Sequence, residues 1–352
     1  MSSGSASVER LWSGRSPAST ALLPLSWAFR GIVGLRRRLF GRGVLSSHSL
    51  PVAVIVVGNL LVGGAGKTPA VIAIVDLLRR HGRNPGIVSR GYGREEEAVR
   101  EVAADSQPSR VGDEPLLLAR RTGVPVVVGS DRVAAGHALL QAHPAVDVIV
   151  SDDGLQHLAL SRNIEVLLFD DRGTGNNRLL PAGPLREPLP RQLRSNQLVL
   201  YSAGTKSTPL PGFLGQRSLA GIASLADWWR GEPASPAALE ALRGRKVVAA
   251  AGLAHPAGFF AMLRSHGLEV IELPLPDHHD FRALPWPVTT GDVVVSEKDA
   301  VKIDPARPVG SRIWVATLDF EPETAFDDAL LTLLPPATSH APLADPHGNT
   351  LA

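Results

Sequence analysis

No cysteine occurs among the 352 residues of this sequence, which excludes disulfides, thiolate metal sites and cysteine nucleophiles together. The absence is compatible with a reducing compartment. Lysine is scarce, with five among 36 basic residues. The arginine excess reads as the coding bias of a GC-rich genome, so no nucleic-acid partner is expected. Aromatic residues make up 5% of the chain, and no N-terminal apolar run reaches the roughly 20 residues needed to cross a bilayer. The most hydrophobic part of the N-terminus, residues 21–29 (ALLPLSWAF), contains Pro24 and runs into Arg30. No small-residue cleavage site follows a short apolar core there, so a secretory signal is not expected either. Bulk disorder is excluded, because 44% of the residues are hydrophobic and only 20% are charged. At this length two compact units are the natural expectation.

Net charge is +2, yet it is unevenly placed. Residues 1–50 carry Arg10, Arg15, Arg30, Arg36, Arg37, Arg38 and Arg42 against Glu9 alone, a local +6 that leaves −4 for the rest. Leu, Trp and Phe beside a basic cluster suit a segment lying in a membrane interface, its apolar groups in the headgroup boundary and its arginines against anionic lipid. An N-terminal helix packed on its own domain, with a solvated basic end, accounts for the same pattern.

From residue 51 onward, strand-like and helix-like runs alternate. Strands are expected over 52–57, 86–89, 124–128, 146–150, 164–169 and 198–201, with helices over 67–81, 114–122 and 132–141. Several of the strands are unbroken Val/Ile/Leu runs, as in parallel strands buried on both faces. The alternation predicts an α/β fold, a doubly covered parallel sheet of the P-loop NTPase type (α/β/α). Residues 91–112 interrupt it with a polar insertion, read as a flap or hairpin. A Ser/Gly/Thr/Pro-rich stretch follows residue 201, and a smaller α/β pattern runs from 246 to 334. The expected division is a basic, membrane-associating segment (1–45), a nucleotide-binding domain (46–205), a linker (206–228), a smaller α/β domain (229–335) and a disordered tail (336–352).

Two motifs carry chemistry. In residues 53–57, AVIVV reads as a buried strand; it leads into Gly63, Gly64, Ala65, Gly66, Lys67 and Thr68, where a periodic helix begins. Glycines let backbone N–H groups converge on phosphate oxygens, and the helix N-terminus adds partial positive charge. Lys67 can reach the β- and γ-phosphates of a nucleotide, and the Thr68 hydroxyl can ligate Mg²⁺. The strict G-x-x-x-x-G-K-[ST] pattern wants glycine where Leu61 stands, so the match is to a GGxGKT variant. The second motif ends a buried strand in Asp152 and Asp153, at the carboxyl end of the sheet, where α/β ligands bind. Beside a phosphate loop, paired carboxylates there serve a metal. Residues 112–120 (GDEPLLLAR) read by themselves as a helix N-terminus with an acidic first turn. The histidine pair in residues 276–281 (PDHHDF) is a weak metal candidate, since adjacent side chains of an extended segment diverge.

Taken in order, WSGRSP (12–17), VGNLLVGGAGKTP, VSRGYGR, GDEP, SDDGLQH, LLPAGPLREP, PDHHDF and SEKDAVK resemble the tetraacyldisaccharide 4'-kinase family, the lipid A 4'-kinases of Gram-negative bacteria. The resemblance covers roughly residues 9 to 335. It implies transfer of the ATP γ-phosphoryl group to the 4'-hydroxyl of a lipid A disaccharide precursor, yielding lipid IVA. It further implies a peripheral enzyme on the anionic, cytoplasmic face of the inner membrane; no protein partner is inferable. The family's two α/β/α domains are joined by a two-stranded β linker. Residue by residue, Lys67 and Thr68 match phosphate and Mg²⁺ binders, and Asp152 and Asp153 the metal site. Asp113 matches the base, with Glu114 beside it; His278, directly after Asp277, is preferred over His279 as its partner. His157 is a further active-site contributor. The family's own loop lacks glycine at the Leu61 position. The alternatives of a different class are a GGxGKT switch ATPase and a lipid-associated scaffold with a vestigial nucleotide site.

Overall fold

The computed structural model describes residues 11–12, 14–64, 66–307 and 310–337. Its first half contains α1 (Pro17–Ala21), α2 (Leu23–Gly41), β1 (Ala53–Asn59), α3 (Lys67–Arg80), β2 (Pro85–Ser89), β3 (Arg100–Glu101), α4 (Pro108–Val111) and α5 (Asp113–Thr122). There follow β4 (Val126–Val128), α6 (Arg132–Ala142), β5 (Val148–Asp152), β6 (Ile164–Phe169) and β7 (Gln197–Tyr201). The second half holds β8 (Phe213–Ser224), α7 (Leu225–Trp229), α8 (Pro236–Glu240), β9 (Lys246–Ala251), α9 (Pro256–Ser265) and β10 (Glu269–Pro274). It ends with β11 (Asp292–Ser296), α10 (Glu297–Ala300), β12 (Arg312–Pro322) and α11 (Thr324–Leu333).

The strands join in one sheet ordered β10-β9-β11-β12-β8-β7-β6-β1-β5-β2-β4-β3. Strands β1, β2, β4, β5, β6, β7 and β8 run parallel, and so do β9, β10, β11 and β12. The two parallel blocks meet at β8 and β12, which pair antiparallel. Every residue of β1, β2, β5, β6 and β11 is buried, which is why their centres are mostly Val, Ile and Leu, with polar residues chiefly at the strand ends and Glu165 inside β6. The edge strand β10 is mostly exposed and alternates with Glu269 and Glu272.

Residues 206–228, expected as the linker, contain β8, a 12-residue strand. A bulge falls between Thr317 and Leu318 of β12, opposite Gly221 and Leu219. Gly221 takes φ +151°, and a Cβ there would meet the Ser235 carbonyl carbon at 2.6 Å, so the bulge needs a residue with no side chain. The insertion at 91–112 does not fold back on itself as a hairpin. It contributes α4 and adds β3 antiparallel to β4 at the sheet edge. Pro24 does not interrupt the N-terminal helix, because it sits in the first turn of α2, where its missing N–H has no intrahelical acceptor to lose. Residues 338–352 of the expected tail, with 1–10 of the N-terminal segment, lie outside the described residues.

Of the three apolar clusters, one crosses the seam. It gathers Ile55, Ile74 and Leu116 with Val293, Val315 and Phe326, and α3 packs directly on β12. Helix α5 lies along this junction. At its last turn Arg121 reaches Glu297 at 2.6 Å and Asp319 at 3.0 Å. Glu297 is buried, and it also accepts from the Trp228 indole N–H at 3.1 Å. Burial pushes its carboxyl up, and Arg121 is the chief opposing influence. Removing one partner of such a pair strands a charge without water. Arg121→Met is expected to cost about 3–5 kcal/mol of stability, read as a shift in the urea unfolding midpoint. A loss below about 1 kcal/mol, the surface-pair range, would show that the pair does not pin the junction.

Candidate active site

Strand β1 ends at Asn59, and the chain turns through residues 60–66 before α3 starts at Lys67. Asn59 holds the turn by donating its side-chain amide to the Gly63 carbonyl at 3.0 Å. Gly63 and Gly66 adopt φ +93° and +78°, a region that suits residues without a Cβ. Gly64 accepts at its carbonyl from the Arg172 guanidinium at 2.7 Å. Gly66 is the N-cap of α3, and the Arg217 guanidinium covers it so closely that a Cβ would meet it at 2.2 Å. Thr68 stands half-buried in the first turn. Ala65 lies outside the described residues. The Lys67 ammonium is buried beneath the loop, 3.6 Å from Asp153 and 3.4 Å from Asn59 Oδ1.

Asp152 closes β5 in the neighbouring position, since β5 pairs with β1 in parallel register. It is fully enclosed; Oδ2 accepts from the Ser89 hydroxyl at 2.9 Å, while Oδ1 has no hydrogen-bond partner. Burial first, then the Glu114 and Asp153 carboxylates, push Asp152 up to about 7; Lys67 and the Ser89 hydroxyl offset this only in part. Asp153 follows at φ +48° and is paired by Lys67 and by Arg186, the latter at 3.2 Å. An enclosed carboxylate oxygen with no donor, at the strand end next to the one that leads into the glycine-rich loop, fits a hard cation with oxygen ligands. Among the described residues no set of three His, Asp or Glu side chains surrounds such a position. A cation there would depend on phosphate oxygens for the rest of its shell.

A second group faces this one. Asp113 and Glu114 open α5, where the helix dipole favours carboxylates. The loop after β10 brings His278, at φ +58°, so that Nδ1 lies 3.0 Å from Asp113 Oδ2. The segment after β11 brings Lys298, 3.2 Å from Glu114 and 3.6 Å from Asp277, and Lys302, 3.7 Å from Asp113. His279 turns elsewhere: its Nδ1 accepts from the Phe281 N–H at 3.1 Å, and its ring packs edge-on against Phe281. The ring of Tyr92 stands 5.5 Å from that of His278.

His157 is not brought into that pair. Its Nε2 accepts weakly from the Arg132 backbone N–H at 3.4 Å. Burial, followed by the Arg132 charge, lowers it to about 4, so it is neutral near pH 7. Arg132 itself is buried, with its charge facing Asp152 and Asp153. Lys298, Lys302, Arg172, Arg186 and Arg217 were given no role by sequence reasoning. The only local signal was that SEKDAVK and LLPAGPLREP carry charges next to apolar runs.

Because the folded pKa of Asp152 exceeds the usual carboxylate value, keeping its proton stabilises the metal-free protein at low pH. That contribution is lost as pH rises from roughly 4 to about 7. Asp152→Asn removes the titration. In EDTA, the Tm of the variant relative to wild type is therefore expected to climb across this window. Parallel Tm profiles would remove Asp152 as the titrating group.

Comparison with known proteins bears on what this arrangement does. The family model for tetraacyldisaccharide-1-P 4'-kinase matches residues 18–335. The tetraacyldisaccharide 4'-kinase of Methylibium petroleiphilum is 53% identical over 330 residues, 92% of each chain. That of Leptothrix cholodnii is 52% identical over 334 residues, 94% of this chain and 96% of its own. Among solved structures, LpxK from Aquifex aeolicus in complex with ATP matches with a TM-score of 0.76 at 28% identity, over 90% of this chain and 99% of its own. The fold is thus that of a P-loop kinase, and the chain belongs to the tetraacyldisaccharide 4'-kinase family, ATP-dependent enzymes of lipid A biosynthesis.

Proposed function

We propose that, in this 4'-kinase reaction, Asp113 is the base that takes the proton of the acceptor hydroxyl, and that His278 holds it in place. The observation that carries this reading is the 3.0 Å contact between Asp113 Oδ2 and His278 Nδ1. It joins a residue of the first parallel block to one of the second. The acceptor is the 4'-hydroxyl of the tetraacyl glucosamine disaccharide 1-phosphate, and the product is lipid IVA. As the hydroxyl O–H bond breaks, its proton passes to the Asp113 carboxylate. The oxygen forms a new bond to the γ-phosphorus, and the bond to the β–γ bridging oxygen breaks, its electron pair leaving with ADP.

The rest of the machinery positions and neutralises. Loop N–H groups and the start of α3 receive the phosphates, and Lys67 exchanges its contacts with Asn59 and Asp153 for β- and γ-oxygens. Mg²⁺, when bound, would be held by Thr68, Asp152 and Asp153 and would neutralise charge on the transferring phosphoryl group. Glu114 shares the first turn of α5 and, with Lys298, steadies the approach of the second half. His157, neutral, accepts through Nε2 and keeps Nδ1–H as a donor. Residues 46–205 and 229–335 work as two domains, and their closure brings Asp113 and His278 together and excludes water.

The acceptor arrives from a membrane. No helix among the described residues is long and apolar enough to cross one. Helix α2, however, leaves Leu25, Trp27, Ile32 and Leu35 more than half exposed. It is tied to the body by Phe29, which packs on an apolar cluster, and by polar contacts: Ser26 Oγ donates to the Leu179 carbonyl at 2.7 Å, and Arg37 pairs with Glu187. A cavity of about 670 Å³ opens between α2 and the body, lined by Trp27, Gly31 and Leu35 on one side and Leu60, Leu155 and Pro188 on the other. These features support a peripheral enzyme on the anionic cytoplasmic face of the inner membrane, with α2 in the interface.

Purified protein, Mg-ATP and labelled tetraacyl disaccharide 1-phosphate form the direct test. One phosphorylated lipid per ATP is expected, whereas ATP turnover without lipid product would indicate a switch ATPase. Asp113→Ala should lower kcat by about 10²- to 10⁴-fold, the usual share of a general base, with ATP affinity nearly intact. Lost ATP binding would move Asp113 into the nucleotide site. Glutamate at both Trp27 and Ile32 is expected to abolish flotation with anionic vesicles and spare ATP binding; unchanged flotation would place the membrane contact elsewhere.

A further inference from the structure

The strongest unassigned cluster lies on the far side of Asp113. Lys302 is nearly enclosed, its side chain 4% exposed. Its ammonium meets two carboxylates: Asp299 Oδ1 at 2.9 Å and Asp113 Oδ2 at 3.7 Å. It also stands 5.3 Å from the centre of the Phe281 ring. Asp299 is completely buried, and its other oxygen, Oδ2, accepts from the Ser296 hydroxyl at 2.7 Å and the Gly252 N–H at 3.0 Å. Asp299 is therefore fixed from the ends of β9 and β11, and it fixes Lys302 in turn. Lys302 does not reach solvent as a surface lysine would; its shorter contact, to Asp299, anchors it within the second parallel block.

We infer that Lys302 is a positioning residue for the phosphoryl transfer, a buried cation that holds Asp113 against the second half of the protein. The inference rests on the reading of Asp113 as the base. His278 sits on a loop and makes one hydrogen bond to the Asp113 carboxylate. Lys302 adds a second contact from a rigid direction. The His278 bond and the closest approach of Lys302 both fall on Oδ2, which leaves Oδ1 to face the acceptor hydroxyl. The chain of contacts runs from the Gly252 backbone through Asp299 and Lys302 to Asp113. Groups of either sign around it are accounted for: Glu114 and Asp277 pair with Lys298, and Asp113 and Asp299 share Lys302.

The test is a double-mutant cycle with lipid-dependent phosphoryl transfer as readout. Lys302→Met is expected to lower kcat by about 10- to 100-fold, the scale of a 1 Å misplacement, with KM for ATP unchanged. In an Asp113→Asn background the same substitution should cost less than about threefold, because residues acting through one another are not additive. Asp299→Asn combined with Lys302→Met removes both charges together, so no buried carboxylate is stranded. This pair carries the test if Lys302→Met alone loses its cooperative melting transition, and it should show the same kcat loss and the same coupling. A wild-type kcat in the Lys302 variants, or a full loss on top of Asp113→Asn, overturns the positioning role. An Asp113→Asn enzyme that keeps its rate overturns the reading of the base instead, so the two failures are distinct.

Discussion

A carboxylate at Glu297 has been carried out of water, and the cation that compensates it comes from the other parallel block. Arg121 supplies that charge from the last turn of α5, while the Trp228 indole and the Leu318 N–H approach the remaining lone pairs. Such a pair adds little net stability over an apolar contact, but neither charge tolerates being left alone, so the registration of the two surfaces is fixed. Asp113 lies eight residues before Arg121 on the same helix. At 1.5 Å per residue that is about 12 Å of rigid rod. The pin at one end of α5 thereby sets where the other end meets His278 and Lys302.

The seam between β8 and β12 does complementary work at the level of the sheet. Within each parallel block, ligand-binding loops collect at the carboxyl ends of the strands; Asn59 and Asp152 stand there in the first block, Pro274 and Ser296 in the second. Antiparallel pairing reverses the second block relative to the first. The long strands β8 and β12, with their bulge and added twist, turn the second block so that its carboxyl-end loops lie along α5. The shared apolar cluster then seals the junction on one face.

Much of this was legible in the sequence wherever burial acts on consecutive residues. β6 was read with the bounds it has, because a strand enclosed on both faces is dominated by Ile, Val, Leu and Phe, with Glu165 the one charged exception. The strand–turn–helix from Ala53 to Arg80 was legible because strand, glycines, Lys67 and helix must occur in register. β8 was not read: FLGQRSLAGIAS mixes exposed, half-buried and buried positions, since one edge pairs with each block and its bulge requires Gly221. Lys302 and Arg121 were illegible for another reason. Nothing in their neighbours along the chain distinguishes a solvated charge from one whose partner is more than 170 residues away. The choice between His278 and His279 was open for the same reason, as only tertiary contact separates two adjacent imidazoles.

At the start of α5 the charges across the junction follow a division of signs, the reverse of the Arg121–Glu297 pair at its other end. Asp113 and Glu114 come from the first block, at a helix start that already favours anions; His278, Lys298 and Lys302 come from the second. Each carboxylate of that first turn is thus matched by a donor it meets only when the halves are together. Charge complementarity of this kind fixes register more than it adds affinity. Asp152 stands apart from the scheme. Enclosed, crowded by Glu114 and Asp153, and with one oxygen unpartnered, it is the carboxylate whose charge the protein alone does not balance. On the proposed assignment a triphosphate would bring its own negative charge to the same place, so one cation would meet both requirements.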